Sequence, residues 1–188
     1  MATTNWLTGD NMKYTLINKL NYKIYNNQLY IKREDLLPIS FGGNKVRKAL
    51  LFLEDIQRHG SDCIVTYGSS NSNHCRVIAN IAASHGIPCY IISPIETKQI
   101  TNNNKLVNLF GAKIITCKLS EVSRTIEIQL NELRSNGFNP YFIQGGGHGN
   151  LGTQAYVKVY KEILDYEKQS GIEFDYIANI FEHLVTGN

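Results

Sequence analysis

The chain has 188 residues, of which 43% are hydrophobic and 19% are charged. A chain of this length can bury a hydrophobic core in one large domain or two small ones, and its composition excludes the disordered and fibrous classes. The net charge of +3 is too small to indicate binding to nucleic acid. We therefore expect the partner to be a small molecule.

The cysteines and the N-terminus bear on the cellular compartment. The chain has four cysteines, Cys63, Cys75, Cys89 and Cys117. No pair of them shows CxxC spacing, and three of the four lie within or beside apolar segments. This pattern is typical of reduced thiols in a cytosolic protein and predicts neither a disulfide framework nor a metal site. The N-terminus lacks the apolar run of a signal peptide, and no apolar segment is long enough to span a bilayer. We expect a cytoplasmic protein with no membrane partner.

The predicted elements begin with a β-hairpin, formed by strands at 22–25 and 29–32 with a turn at Asn26 and Asn27. After residue 60, short β-branched runs alternate with helical patterns, which indicates parallel βαβ units. The predicted strands lie at 63–67, 89–93, 113–117, 141–144 and 174–177. Glycines mark the ends of the helical patterns; they are Gly60, Gly86, Gly111, Gly137 and Gly171. The sequence predicts an α/β fold with an open, mostly parallel sheet and an N-terminal β-hairpin.

Three loops are candidates for a ligand site, because open α/β sheets bind ligands in the loops that lead from strands into helices. They are GGNK at 42–45, GSSNSNH at 68–74 and GGGHGNLG at 145–152. Each loop is rich in glycine or in small hydroxyl and amide residues. We expect the three loops to form the rim of one pocket.

Lys45 lies in the first turn of a predicted helix whose N-cap is Asn44 and whose apolar stripe begins at Val46. The positive end of the helix dipole disfavours a cation there by at most about 1 kcal/mol. A surface helix tolerates that cost, so a solvated helix start is one interpretation. The other is that the dipole, nearby cations and partial burial favour the neutral amine that Schiff-base chemistry requires. The residues alone leave both interpretations open.

Two more cations follow Lys45 in the same helix. Lys48 lies one turn later on the same face, where it could meet a substrate carboxylate. Arg47 points elsewhere, and we expect it to pair with a surface carboxylate such as Glu54 or Asp55.

The loop at 68–74 has five consecutive hydroxyl or amide side chains, at 69–73. A helix N-cap needs only one of them, so the surplus suits an anion such as a carboxylate at the helix N-terminus. In the loop at 145–152, His148 is either a general base or a residue of the rim. A nucleotide site at this loop is disfavoured, because no acidic residue follows a second strand at the distance that a ribose partner needs.

Three motifs taken together resemble a known family. KREDLLPISFGGNKVRK, NSNHCR and GGGHGNLGTQAY are similar, in order and spacing, to motifs of the pyridoxal-phosphate (PLP) enzymes of the tryptophan-synthase β-like fold. The branch that they resemble contains D-cysteine desulfhydrase and 1-aminocyclopropane-1-carboxylate (ACC) deaminase. The similarity covers about residues 14–177. It implies that the chain is the N-terminal half of a two-domain PLP enzyme of fold type II.

The resemblance also implies roles for individual residues. Lys45 would hold PLP as an internal aldimine and later move the α-proton of the substrate, and Asn73 would hydrogen-bond the ring hydroxyl. Ser72 would bind or attack near the substrate carboxylate, and Lys48 would help to hold that carboxylate. Asn73 and His74 are further implied substrate contacts. The implied reaction converts D-cysteine to pyruvate, sulfide and ammonia.

The family continues for nearly as long again after the similar region, so we expect the chain to be truncated and to lack the family's phosphate-binding loop. The resemblance places residues 1–60 in the large PLP domain and residues 61–150 in the small α/β domain, and residues 151–188 return to the large domain. The hairpin and the Lys45 helix would then lose most of their packing surface. The family commonly has glutamine where this chain has Asn71, one methylene shorter.

Two functions follow from these expectations. The first is a PLP-dependent lyase or deaminase of a small amino acid, whose partner is a complementing C-terminal half or a second copy in a homodimer. The alternative is a truncated, non-catalytic remnant or subunit that folds or binds a partner without PLP turnover. The residues present do not choose between D-cysteine, ACC and other small amino acids.

Overall fold

The structure, a computed structural model, describes residues 15–69, 71–95 and 102–178. Short 3-10 turns lie at Glu34–Leu36, Leu119–Glu121 and Gly145–Gly147. The helices and strands, in chain order, are β1 (Ile17–Ile24), β2 (Asn27–Lys32), α1 (Asn44–Arg58), β3 (Cys63–Tyr67), α2 (Asn73–Ser84), β4 (Cys89–Pro94), α3 (Asn102–Leu109), β5 (Lys113–Cys117), α4 (Val122–Ser135), β6 (Pro140–Ile143) and α5 (Asn150–Ser170).

The strands β3 to β6 form a four-stranded parallel sheet in the order β5-β4-β3-β6. The chain moves outward from β3 to β4 and β5 and then returns to the other side of β3. The strand order therefore reverses between β3 and β6, and a crevice opens at their carboxyl ends, where open α/β sheets bind ligands. The predicted α/β fold with a parallel sheet is confirmed, and β3 and β5 have the predicted bounds.

The sheet is covered on both faces, and alternate side chains of its strands enter two different cores. On one face Ile64, Ile91 and Ile143 pack against α1, α2 and α3. On the other face Val65 and Ile92 pack against α4. All five side chains are buried. Burial on both faces explains why these strands are continuous apolar runs.

Helix α1 belongs to the core of the sheet, and the expectation that it would lose most of its packing surface is wrong. Val46, Leu50, Leu53 and Ile56 are at most 3% exposed, and they share one cluster with Ile64 of β3. The reason is that α1 packs against α2 and α5, which this chain contains. The division into domains at residues 60 and 150 remains a prediction.

The predicted hairpin is confirmed as β1 and β2, which pair in antiparallel fashion. Its turn lies at Tyr25 and Asn26, one residue earlier than predicted, because Ile24 pairs with Asn27. Tyr25 has a left-handed backbone conformation in that turn, with φ 52°. Tyr22 and Ile24 are 59% and 49% exposed, so the tip of the hairpin contributes little to the core.

The strand predicted at 174–177 is wrong, since these residues form no strand. The ring of Phe174 instead packs edge-on against Tyr30 at 5.1 Å and stacks on Tyr166 at 6.0 Å. The backbone N–H of Phe174 donates to a carboxylate oxygen of Glu167 at 2.8 Å. An apolar run becomes a strand only beside another strand that takes up its hydrogen bonds, and none of the described strands pairs with this segment.

All four cysteines are buried. Burial raises the pKa of the thiols of Cys63 and Cys89 to about 12, which keeps both protonated at neutral pH. Among the residues that the structure describes, no group of histidine, cysteine, aspartate and glutamate side chains is placed to hold a metal ion. Within the same ranges, no helix has the length and apolar character needed to cross a bilayer.

Candidate active site

The segment before α1 turns at two glycines. Gly42 has φ 68°, and a Cβ atom at this position would lie 2.6 Å from two backbone carbonyl oxygens of the preceding 3-10 turn. Gly43, with φ 95°, is the N-cap of α1. Glycine meets both conditions without strain. The predicted cap at Asn44 is wrong by one residue, but Lys45 lies in the first turn of the helix as predicted.

Arg47 lies on a different face of α1 from Lys45, and the prediction of its carboxylate partners is wrong. Its side chain is buried, and its guanidinium hydrogen-bonds the carboxylates of Glu34 and Glu162, not those of Glu54 or Asp55. Glu162 is 115 residues away in the sequence and reaches Arg47 because α5 packs on α1. Burial lowers the pKa of Arg47, but these hydrogen bonds outweigh burial and raise it.

The loop between β3 and α2 is organised by its own hydroxyl groups. Ser72 is the N-cap of α2, and its Oγ accepts the backbone N–H of His74 at 3.1 Å. The Oγ of Ser69 accepts the backbone N–H of Asn71 at 3.1 Å. These two bonds fix the backbone that leads into Asn73, the first residue of α2. Capping thus uses one of the small polar residues, as the sequence predicts.

His74 lies beneath this loop, where it is 2% exposed. Its Nε2 lies 2.9 Å from the Oγ1 of Thr66. The hydroxyl of Thr66 donates to the carbonyl oxygen of Ile143 at 2.8 Å, so its oxygen accepts from His74, and the proton is on Nε2. His74 therefore ties α2 to β3 and β6. The structure does not bring its ring to the cleft, although the sequence predicts a substrate contact for it.

Lys48 lies one turn after Lys45 and supports the loop that follows β6. Its Nζ donates to the carbonyl oxygen of Gly146 at 3.1 Å and lies 5.6 Å from the centre of the Tyr156 ring. Burial lowers the pKa of Lys48, and the like charge of Lys45 lowers it further. The predicted contact of Lys48 with a substrate carboxylate would use one of the remaining donors of the ammonium group.

The loop after β6 approaches its neighbours so closely that side chains have no room. A Cβ atom on Gly145 would lie 2.8 Å from the ring of Tyr67. A Cβ atom on Gly152 would lie 2.0 Å from the carbonyl oxygen of Gly147. Glycine at 145 lets the loop lie against the end of β3, and glycine at 152, in α5, lets the loop lie against the start of that helix.

The three predicted loops enclose one cleft of about 710 Å³ at the carboxyl ends of β3 and β6. This volume is in the range of small-molecule sites. The structure brings together three of the predicted residues, Lys45, Ser72 and Asn73, as lining residues of the cleft. His148 also lines the cleft, and its side chain is exposed, which places it at the rim.

Two cleft residues were not identified from the sequence. Tyr67 is the last residue of β3, and Leu119 follows β5; both line the cleft. Their position at the end of one predicted strand and just after another is the signal that could have found them, since ligands bind at the carboxyl ends of strands. Asn103 in α3 was also missed. It hydrogen-bonds the backbone oxygen of Asn71 in the loop and the side chain of Asn73, and local sequence patterns do not indicate these bonds.

The fold and the cleft define a class of protein. An open parallel sheet presents, at the point where its strand order reverses, an amine that can bond to an aldehyde and hydroxyl and amide groups that can bind oxygen atoms. This donor set is suited to an enzyme that binds a carbonyl cofactor with anionic oxygens.

The chain belongs to the pyridoxal-phosphate dependent enzyme family, whose family model matches residues 11–180. It is 35% identical over 158 residues to the D-cysteine desulfhydrase of Serratia proteamaculans (strain 568), covering 80% of this chain and 48% of that enzyme. It is 37% identical over 144 residues to the D-cysteine desulfhydrase of Salmonella typhi, covering 73% of this chain and 44% of that enzyme. The chain spans about half the length of the curated relatives that it matches.

Solved structures agree with this assignment. A crystal structure of an ACC deaminase homologue superposes with a TM-score of 0.74 at 30% identity, covering 87% of this chain and 50% of that one. A hydrogen sulfide-producing enzyme from Fusobacterium nucleatum superposes with a TM-score of 0.61 at 20% identity, covering 89% of this chain and 54% of that one, which is a likeness of fold alone. The predicted resemblance, the fold type II architecture and PLP as the cofactor of the family are confirmed.

Proposed function

We propose that the cleft binds PLP through Lys45 and contributes to a lyase or deaminase that acts on a small amino acid. The proposed reaction is that of D-cysteine desulfhydrase, in which D-cysteine yields pyruvate, sulfide and ammonia. The observation that carries the proposal is the position of Lys45, which shares one cleft with Ser72 and Asn73. The identity of 35% to a D-cysteine desulfhydrase supports the choice of substrate.

The lining residues fit the ring end of PLP. The amine of Lys45 matches the aldehyde of the cofactor, and the amide of Asn73 matches an oxygen on the ring. Asn73 begins α2, where the positive end of the helix dipole favours an anion. When bound, PLP supplies an electron sink that makes the α-proton of an amino acid acidic. The Nζ of Lys45 would then hold and move that proton.

Ser72 is suited to bind the substrate carboxylate by donating its hydroxyl hydrogen. Its oxygen already accepts the backbone N–H of His74. A nucleophilic serine needs a base that takes its proton, and the Nε2 of His74 is engaged with Thr66. His74 is therefore not the base that would activate Ser72, and we assign Ser72 to binding the carboxylate.

Lys48 has a supporting role in this proposal. Its hydrogen bond to Gly146 holds the glycine loop against α1, and Gly146 lines the cleft. Its positive charge also lies behind Lys45, close enough for each lysine to affect the other electrostatically. The positive charge of Lys48 near the cleft favours a substrate that carries a carboxylate.

The test is PLP uptake by the purified chain, alone and with the remaining half of the Serratia desulfhydrase supplied as a separate polypeptide. We expect a visible absorbance band that is lost in Lys45→Ala and kept in Lys161→Ala, an exposed lysine of α5. With the added half, we expect sulfide release from D-cysteine. The absence of a band under both conditions would overturn the proposal. Partner binding without PLP uptake would support the non-catalytic alternative instead.

A further inference from the structure

An asparagine of α3 holds the loop that carries Asn73. The Nδ2 of Asn103 donates to the backbone oxygen of Asn71 at 2.7 Å and to the side-chain Oδ1 of Asn73 at 3.1 Å. Asn103 lies 32 residues from Asn71 and 30 residues from Asn73, so the tertiary fold creates both bonds. We propose that Asn103 is a positioning residue. It determines which end of the Asn73 side-chain amide, the NH₂ group or the oxygen, faces the cleft.

The two bonds determine the orientation of both side-chain amides. A backbone carbonyl oxygen can only accept, so the Asn103 atom at 2.7 Å from it is the nitrogen. That nitrogen can only donate, so the Asn73 atom at 3.1 Å from it is the oxygen. The oxygen of the Asn73 amide is thus directed to α3. Because Asn73 also lines the cleft, we infer that a ligand there would meet the NH₂ end of this amide.

The consequence of this orientation rests on the proposed function. A ring oxygen of PLP and a substrate carboxylate both carry negative charge, so each needs a donor and is repelled by a carbonyl oxygen. A rotated Asn73 amide would present that oxygen to the ligand. Asn103 thereby restricts the cleft to ligands with an acceptor oxygen at this point. Its bond to Asn71 also fixes the backbone next to Ser72.

Two substitutions of Asn103 distinguish its effect on the orientation of the Asn73 amide from the effect of packing its side chain. Asn103→Ala removes the donor, so the oxygen of the Asn73 amide loses the hydrogen bond that sets its orientation. Asn103→Asp keeps the shape but can only accept, so it loses the bond to the backbone oxygen of Asn71. It also attracts the NH₂ group of Asn73 and turns the oxygen of that amide towards the cleft. Asn108→Asp is the matched control, because it adds the same charge to α3 at an exposed asparagine that donates to the backbone oxygen of Asn104.

The first measurement needs no cofactor. In nitrogen-15 NMR spectra of the chain, we expect the side-chain NH₂ signals of Asn73 to shift in both Asn103 variants and to stay in place in Asn108→Asp. Asn73 signals that are the same in Asn103→Ala as in the unsubstituted chain would overturn the proposal. This result is independent of PLP, so it separates the role of Asn103 from the proposed function.

The second measurement follows PLP under the conditions in which the unsubstituted chain takes it up. We expect Asn103→Asp to raise the dissociation constant roughly tenfold, equivalent to about 1.4 kcal/mol, and to change the pH dependence of the visible band. Asn103→Ala should have a smaller effect, and Asn108→Asp none. Equal losses in the two Asn103 variants with an unchanged pH profile would indicate a merely structural role and overturn the proposal. If the unsubstituted chain takes up no PLP either alone or with the added half, the proposed function fails and the NMR result decides the role of Asn103.

Discussion

Arg47 is the centre of a buried ionic network, and its removal should destabilise the protein strongly. Its side chain is 7% exposed, and that of Glu162 is 10% exposed. The guanidinium lies 2.5 Å from one oxygen of Glu162 and 2.9 Å from the other, and it also hydrogen-bonds both oxygens of Glu34. Lys32 adds a second cation 2.6 Å from Glu162. Two cations thus balance two carboxylates at a site with little access to water.

Arg47→Ala would leave two carboxylates facing one remaining cation. Removing one partner of a buried ion pair typically costs about 3–5 kcal/mol, because the other charge stays desolvated. Total stabilities of domains are about 5–15 kcal/mol, so the loss is a large share of the whole. At about 2–4 °C per kcal/mol for a chain of this size, we expect the melting temperature to fall by roughly 10 °C.

Urea unfolding followed by circular dichroism measures this loss as a change in the free energy of unfolding. The matched control is Arg33→Ala, since Arg33 pairs with Asp35 at 2.8 Å while their side chains are 34% and 58% exposed. Solvent screens such an exposed pair, so its removal should cost far less than the removal of Arg47. Arg47→Lys should lie between the two, because it keeps the charge but loses the forked geometry. A cost for Arg47→Ala no larger than that for Arg33→Ala would refute the reasoning.

Three further outcomes are expected. Lys45→Met should raise the pKa of Lys48 only part of the way to its ordinary value. Burial is the larger cause of the lowered pKa of Lys48, and the charge of Lys45 is the smaller cause. An unchanged pKa of Lys48 in an NMR titration would contradict this. Since the unfolded chain holds the Lys48 proton to higher pH than the folded chain, this group makes stability rise with pH between the two pKa values. Gly152→Ala should destabilise by about 1–3 kcal/mol in urea unfolding, because its Cβ would lie 2.0 Å from the oxygen of Gly147. Helix propensity alone predicts that Gly152→Ala stabilises the protein by about 1 kcal/mol, so the sign of the measured change shows whether the close contact or the propensity dominates. Thr66→Val should lower the free energy of unfolding by about 1–3 kcal/mol, because the buried imidazole of His74 and the buried carbonyl oxygen of Ile143 lose the hydroxyl that they share. Unchanged stability in urea unfolding would contradict this.

The parallel sheet was predictable because each of its strands is a short apolar run bounded by glycine or helix patterns. The run at 141–144 is observed as Pro140–Ile143, and that at 89–93 as Cys89–Pro94. The run at 174–177 has a similar composition but forms no strand. Composition predicts a strand only where a neighbouring strand is available, and that condition depends on the rest of the fold.

The candidate site was predictable where it depends on local chemistry. Lys45 lies next to two glycines and Ser72 caps a helix, and both features can be read from a few residues. The partners of Arg47 and Asn103 could not be predicted, because Glu162 is 115 residues from the first and Asn73 is 30 residues from the second. Periodicity and capping rules describe neighbours in the sequence, whereas these bonds depend on which helices pack together.

The two sides of α1 set a strict limit on changes of length near its start. Arg47 is bound to the carboxylates on one side, and Lys48 is bound to Gly146 on the other. Successive residues of a helix are rotated by about 100°, so one residue inserted between Lys45 and Arg47 would turn Lys45 away from the cleft while the ionic network holds the rest of α1. Insertions should instead be tolerated at the exposed turn of the hairpin, where Tyr25 is 94% exposed. The number of residues from Lys45 to Lys48 is therefore fixed by two bonds on opposite sides of one helix.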